Sequence, residues 1–517
     1  MNWGPFLGAS PLLVVSISGL LLMVAEAFSH RREEAEDRSQ GPSADLALPT
    51  ALTMGAGAVL SAAVWMVGPE NLDGVGVLAP YLIIDRFTLF FCFVLCLGGA
   101  LAALLAGGYL PEHKLDRGEF YPLLTFSTVG CMILAASGDL LSLFLGLETM
   151  SLGVYALTGF RRASPRSTEA AVKYFLLGSF AAALLLYGGA LLYGATGKTD
   201  LAGIRTVLSQ HATGTAVDSL REGGSMATVA IGAVLILAGL AFKVSAVPFH
   251  MWAPDAYEGA PTPATAFMAV AVKSAAFAVM LRVLVIALGD ESWASWAAGW
   301  PPVVALLAVL TMTVGNLVAG RQESVKRMLA YSSIAHAGYV LVGVVSAAQT
   351  DGDGQASVLF YLLAYTVSTV GAFGTLILCG SRGVEAVSYE DLAGVGKRHP
   401  VAAMAFALFL LSLIGVPPTA GFFGKLYVLR ASIGAGLYTL SVILVLNSAL
   451  AAYYYLKVLV YMYMREPAPG APLARPMKSG YVVGALLISA VLVIGLGLWP
   501  QRSLQAATSA KLVAGAR

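Results

Sequence analysis

Residues 240–267 read LAFKVSAVPFHMWAPDAYEGAPTPATAF and place a lysine inside an apolar helix that a proline then breaks. Lys243 ends a long apolar run, Ala227 to Ala241, and a fixed charge at that depth costs about 3 kcal/mol or more in a bilayer. Pro248 removes a helix hydrogen bond and frees a carbonyl about one turn earlier, close to the lysine. Irregular backbone at membrane depth survives only where it lines protein or a water-filled cavity. The stretch therefore reads as a broken helix built around an ion or proton site.

The surrounding composition agrees. Of 517 residues, 58% are hydrophobic and only 12% charged, with a mean hydropathy of +0.78. Soluble domains carry about 25% charged residues, so most of this chain faces lipid or other buried helices. A net charge of +2 gives no reason to expect nucleic acid as a partner. Cys92, Cys96, Cys131 and Cys379 lie in apolar runs without clustered histidines, which fits neither zinc nor an iron–sulfur cluster. No Gly-rich dinucleotide motif follows a strand, and GAGAVL at Gly55 reads as a small-residue stripe in a span.

Apolar runs long enough to span recur about fourteen times by the roughly 20-residue rule. They begin near Leu7, Ala47, Ile83, Phe120, Leu140, Ala170, Ala227, Pro263, Pro301, Met328, Gln355, Val401, Leu437 and Tyr481. The expected fold is an all-α polytopic membrane protein. With no basic leader or small-residue cleavage site, Leu7 to Phe28 is expected to remain as the first span. The polar connection Gly194 to Met226 has room for a hairpin or a short helix.

Basic residues cluster in alternate loops: Arg31, Arg32 and Arg38; Lys114 and Arg117; Arg161, Arg162 and Arg166; Arg321, Lys326 and Arg327; Arg382, Lys397 and Arg398; Arg465, Arg475 and Lys478. The opposite loops carry Glu70, Asp73, Asp139, Asp290, Glu291, Asp351 and Asp353, with Lys198, Arg205 and Arg221 in the one long loop. The positive-inside rule makes the first set cytoplasmic and predicts both termini outside.

Ionisable residues within spans carry the chemistry: Glu148, Lys173, Lys243, Lys273, His336, Lys425 and Lys457. Such residues mark ion or proton pathways, the alternative being charges that pair between helices or snorkel from span ends. A second broken helix, ALFLLSLIGVPPTAGFFGKLYVLRA, holds Pro417, Pro418 and Lys425. In each half a broken helix with a lysine precedes a further lysine, Lys273 or Lys457, as expected of internal repeats. A buried lysine near a carboxylate such as Glu148 can load and release a proton, and a row of Glu148, Lys243, Lys273, His336 and Lys425 would form a midplane relay.

The runs GDLLSLFLGLETMSLGVYAL, STEAAVKYFLLGSFAAALLLYG, AFKVSAVPFHMWAPDAYEGAPTPATAF, SVKRMLAYSSIAHAGYVLVG and GVPPTAGFFGKLYVL closely resemble the antiporter-like subunits of respiratory complex I. The resemblance covers nearly the whole chain and is strongest to members without a long lateral helix after the last span. It implies fourteen helices with two inverted repeats, arranged as 1–118 (three helices), 119–290 (first repeat), 301–465 (second repeat) and 466–517 (final helix and tail). It also implies proton translocation coupled to NADH–quinone electron transfer in a bacterial inner membrane. Essential roles fall on Glu148, Lys243, Lys273 and Lys425, with Glu148 pairing Lys243, while Lys173, Lys326 and His336 match further polar positions. The subunit itself would bind no cofactor. NADH, FMN, iron–sulfur clusters and quinone would belong to the whole complex, and the partners would be its other membrane and peripheral subunits, including neighbouring antiporter-like ones. A subunit of a multisubunit cation/proton antiporter or of a related membrane hydrogenase is the alternative, and a purely structural scaffold a third reading.

Overall fold

A computed structural model describes residues 3–33, 46–72, 75–115, 117–213, 220, 225–350, 352–380, 383–467 and 474–512. The loop charges Arg38, Asp73, Arg221, Asp351 and Arg382 lie outside the described residues. Twelve described helices are long and apolar enough to cross a membrane, and two shorter apolar ones accompany them. Every expected span start falls at or near one of these helices.

In chain order they are α1 (Ser10–Glu33), α2 (Ala47–Val67), α3 (Arg86–Glu112), α4 (Phe120–Ala136), α5 (Leu140–Thr158), α6 (Pro165–Thr196), the short connecting helix α7 (Leu201–Thr213) and α8 (Met226–Lys243). The second part comprises α9 (Trp252–Gly259), α10 (Thr262–Ala287), α11 (Pro301–Ala319), α12 (Val325–Ser346), α13 (Asp353–Cys379), α14 (Pro400–Ile414), α15 (Ala420–Gly434), α16 (Tyr438–Met464), α17 (Gly480–Leu498) and α18 (Pro500–Ser509). No strand occurs among the described residues, only isolated bridges such as Ser324 with Ser388.

Starts are specified locally. Asp85 accepts from Thr88 N, Asp139 from Leu141 N and Ser324 from Arg327 N, so orphan amides at three helix ends are capped. Close helix pairs rest on glycine. A Cβ on Gly130 would lie 2.2 Å from Met150 N, and one on Gly315 would lie 2.7 Å from Ala335 N. These contacts draw α4 onto α5 and α11 onto α12, which brings the polar face of α5 and the histidine-bearing α12 into the bundle interior. α10, α12 and α13 are almost wholly buried, whereas α1, α16 and α17 present large apolar side chains outward. The polar residues of α10, α12 and α13 consequently meet each other away from lipid.

Candidate functional site

Both proline-containing breaks occur where expected. α8 stops at Lys243, and the chain turns through 244–251 before α9 resumes. Ser245 there has φ +61°, the left-handed region that a β-carbon disfavours by about 1 kcal/mol or more. The Phe242 carbonyl at the end of α8 accepts from Ser245 N at 3.0 Å and from Trp252 Nε1 at 2.9 Å. Val247 N donates to Thr311 Oγ1 at 2.9 Å, fastening this break to α11. The second break follows Ile414, where Gly415 has φ +93°. Gly421 N donates to Ser412 Oγ at 3.2 Å, and a Cβ on Gly421 would lie 1.8 Å from Ser412 O, so the resumed helix needs glycine to approach.

Four groups are buried in the interior: Lys243 is 1% exposed, Lys273 2%, His336 4% and Lys425 8%. The ammonium of Lys243 donates to Ser151 Oγ at 2.8 Å and to Tyr155 OH at 3.3 Å. Glu148 lies one turn before Ser151 on α5; the hydrogen bonds of the ammonium go to the two hydroxyls rather than to this carboxylate, whose buried Oε1 has no hydrogen-bond partner. Lys425 donates to the freed Ile414 carbonyl at 2.7 Å and to Ser448 Oγ at 2.9 Å, and lies 5.0 Å from the Tyr339 ring centroid. Lys243 is thus the last residue of its half-helix, and the Lys425 ammonium reaches back to the C-terminal end of α14, where the helix dipole favours a cation.

Lys273 links α10 to α12. Its Nζ donates to Ser333 O at 2.7 Å and Ser333 Oγ at 2.5 Å, and a π-helical segment, Met268–Val272, immediately precedes it. Such bulges often occur at functional positions. Ser333 lies one turn from His336 on α12. His336 Nδ1 contacts Tyr361 OH at 2.6 Å and Nε2 contacts Tyr455 OH at 3.2 Å, the tautomer deciding which atom donates. A cavity of about 10 Å3 lies between His336, Tyr361 and the second break at Ser412 and Gly421. That approaches the volume one water requires.

Lys173, a candidate site residue outside the expected relay row, is not buried. Its side chain is 46% exposed and pairs with Glu169 at 2.7 Å and Asp255 at 3.0 Å, because it lies only two turns inside α6. Lys326 is buried and donates to Ala260 O at 2.8 Å, near Glu385 rather than His336. Lys457 is half-buried over the Tyr389 ring.

Sequence reasoning missed the hydroxyl partners. Ser151 and Tyr155 follow Glu148 at i+3 and i+7, so their shared face was legible. It also missed Arg282, a second cation in the Lys273 span, which pairs with Asp85 at 2.8 Å and donates to Ala135 O. Glu385 gave no signal, since its partners come from distant segments. Among the described residues no group of three or more His, Cys, Asp or Glu could hold a metal ion.

The family described as "NADH:quinone oxidoreductase/Mrp antiporter, TM" matches residues 137–451, which contain both breaks and all four buried groups. The chain belongs to that family. Within it, the chain is 74% identical over 512 residues to NADH-quinone oxidoreductase subunit N 1 of Sorangium cellulosum, covering 99% of each chain. It is 41% identical to subunit N of Myxococcus xanthus, covering 97% of this chain and 96% of that one. Among solved structures, a chain of Thermus thermophilus respiratory complex I superposes with a TM-score of 0.75 at 32% identity, covering 96% of this chain and 99% of that one. A chain of the Mrp complex from Dietzia superposes at 0.81 but is only 22% identical, covering 99% and 97%. The fold is therefore common to both branches of the family, and sequence identity distinguishes them. The chain is a multi-span membrane subunit of the NADH-quinone oxidoreductase branch.

Proposed function

We propose that this chain translocates protons as the N-type subunit of a bacterial NADH-quinone oxidoreductase, using Glu148, Lys243, Lys273, His336 and Lys425 as its relay. The observation that supports the reading is that one buried helix, α12, gathers these groups: Ser333 accepts from Lys273, His336 one turn on meets Tyr361 and Tyr455, and Lys425 lies over Tyr339.

Lys243 works as the loading switch. At Glu148 the ammonium gains a counter-charge and keeps its proton; at Ser151 and Tyr155 it has only hydroxyls and gives the proton up more readily. Lys273 passes it through Ser333 to His336, whose two nitrogens both face tyrosine hydroxyls. Lys425 is the last site. Lys173 serves as an anchor between α6 and α9 at the rim of this path.

The two breaks, with 119–290 and 301–465 as inverted repeats, give the path its two halves. The membrane is the inner membrane, with the basic loops cytoplasmic and both termini outside. NADH, FMN, iron–sulfur clusters and quinone are held by partner subunits, and redox energy reaches this chain through its contacts with them. The deciding experiment is NADH-driven proton pumping in vesicles carrying Lys243→Ala, with complex assembly measured on the same sample. An assembled complex that pumps poorly supports the reading; unchanged pumping overturns it.

A further inference from the structure

An ionic cluster at the basic-loop end of the bundle takes no part in that relay. Glu385, in the connection between α13 and α14, accepts from Thr262 Oγ1 at 2.8 Å, from Arg161 Nη2 at 3.2 Å and from the Tyr109 hydroxyl. Its other oxygen faces Lys326 Nζ at 3.4 Å, and Lys326 also holds the Ala260 carbonyl at 2.8 Å. The Tyr109 ring stacks on His113 at 4.0 Å. One carboxylate thereby joins α3, the α5–α6 loop, the first residue of α10, the start of α12 and its own loop.

Burial alone would raise the pKa of this carboxyl. The Lys326 and Arg161 cations outweigh that effect, and hydrogen bonds from Tyr109 and Thr262 add to theirs, holding it at about 2. Glu385 is therefore an anion at any working pH.

Its position matters for what lies beneath. Thr262 and Lys326 open α10 and α12, and the Lys273–Ser333 contact lies about 16 Å along one helix and about 10 Å along the other, at ~1.5 Å per residue. Near that contact the Tyr257 and Tyr365 hydroxyls face Ser333 without reaching hydrogen-bond geometry. Ser274 Oγ is likewise buried without a partner. The seam is thus polar below the cluster and bridged by ions at its mouth.

We infer that Glu385 is a positioning residue of the translocation path: it is the counter-ion that holds Lys326 and Arg161 together and closes the mouth of the α10–α12 seam above Lys273. The inference rests on the relay reading for what the seam leads to. Without the carboxylate, two cations face each other with no shared anion; they separate, and water reaches the unpartnered hydroxyls below.

The test is passive proton inflow into vesicles without NADH, expressed per assembled complex, for wild type, Glu385→Gln, Glu385→Gln with Lys326→Gln, and Glu385→Gln with Lys273→Ala. The single variant should raise inflow several-fold, and removing Lys326 as well should bring it back towards wild type. A purely structural role would change the amount of complex and not inflow per complex. Wild-type inflow in the assembled single variant overturns the inference. If that variant does not assemble, recovery of assembly in the Lys326→Gln double variant supports the counter-ion, and failure of both overturns it. Loss of the extra inflow with Lys273→Ala ties the seam to the relay. Inflow that persists there leaves the closure standing and refutes the relay through Lys273.

Discussion

The Lys243 ammonium rests 2.8 Å from Ser151 Oγ, while Glu148, one turn earlier on the same helix, keeps a buried carboxylate oxygen without a partner. The two seats are about 5 Å apart along α5, the rise of one helical turn. A flexible lysine side chain can cover that distance without backbone motion. Ser151 donates its own proton to Leu147 O at 2.5 Å, so its oxygen is left to accept from the lysine. Tyr155 can either accept from the ammonium or donate to the neutral amine, which lets this seat hold both protonation states.

Glu148→Gln removes the seat that retains the proton. The complex should assemble, because the substitution keeps the size of the side chain and the buried Oε1 makes no hydrogen bond to lose, and pumping should fall about tenfold, which corresponds to about 1.4 kcal/mol of lost preference. NADH-driven acidification of vesicles measures this. Assembly with normal pumping contradicts the switch.

Ser151→Ala and Tyr155→Phe act on the other seat. Each deletes a hydrogen bond to a charged group, worth about 1.5–3 kcal/mol, and shifts Lys243 towards Glu148. Pumping should slow while the proton remains bound, and the double variant should be worse than either single one. Equal activity in all three would show that the hydroxyls are incidental.

Exposure separates the other lysines from the relay. Lys173→Ala and Lys457→Ala should each retain most of the pumping that Lys425→Ala loses, since the first residue is half exposed and the second half-buried against Tyr389. Parallel pumping assays on the three variants check the order. A loss with Lys173→Ala as deep as with Lys425→Ala would return Lys173 to the path.

Acid should leave the Glu385 cluster intact over a wide range. Its pKa lies below the ordinary 4.5, so its stabilisation is fully present above that value and lost only as pH falls through about 2. Hydrogen exchange of the 384–394 backbone should be unchanged, after correction for intrinsic rates, from neutral pH to about 4.5. His113, stacked on Tyr109 and with its pKa lowered from 6.5 chiefly by burial, charges within this window, so loss of protection well above pH 4.5 that persists in His113→Asn would contradict the ion-pair account.

Much of this was legible from local pattern. The spans follow from apolar runs, and the breaks from Pro248 and the Pro417–Pro418 pair, because a proline within a lysine-bearing apolar helix has few other uses in lipid. Lys243, Lys273, His336 and Lys425 emerged as ionisable groups in spans, and their burial follows from the cost of exposing them. Depth within a helix was harder to read. Lys173 stands in an apolar-looking run, yet its place near the start of α6 lets it reach Asp255 at the rim. Partners across the bundle were out of reach. Nothing local to Glu385 announces Tyr109, Arg161, Thr262 and Lys326, which arrive from distant parts of the chain only when the helices pack.

The most direct measurement is proton pumping per NADH oxidised by the assembled complex carrying Lys243→Arg. Arginine keeps the positive charge and the donors for Ser151 and Tyr155 but does not release its proton in the working range. The account predicts an assembled complex with little pumping. Pumping at the wild-type ratio would mean that Lys243 supplies only a fixed charge, and would contradict the claim that its proton moves.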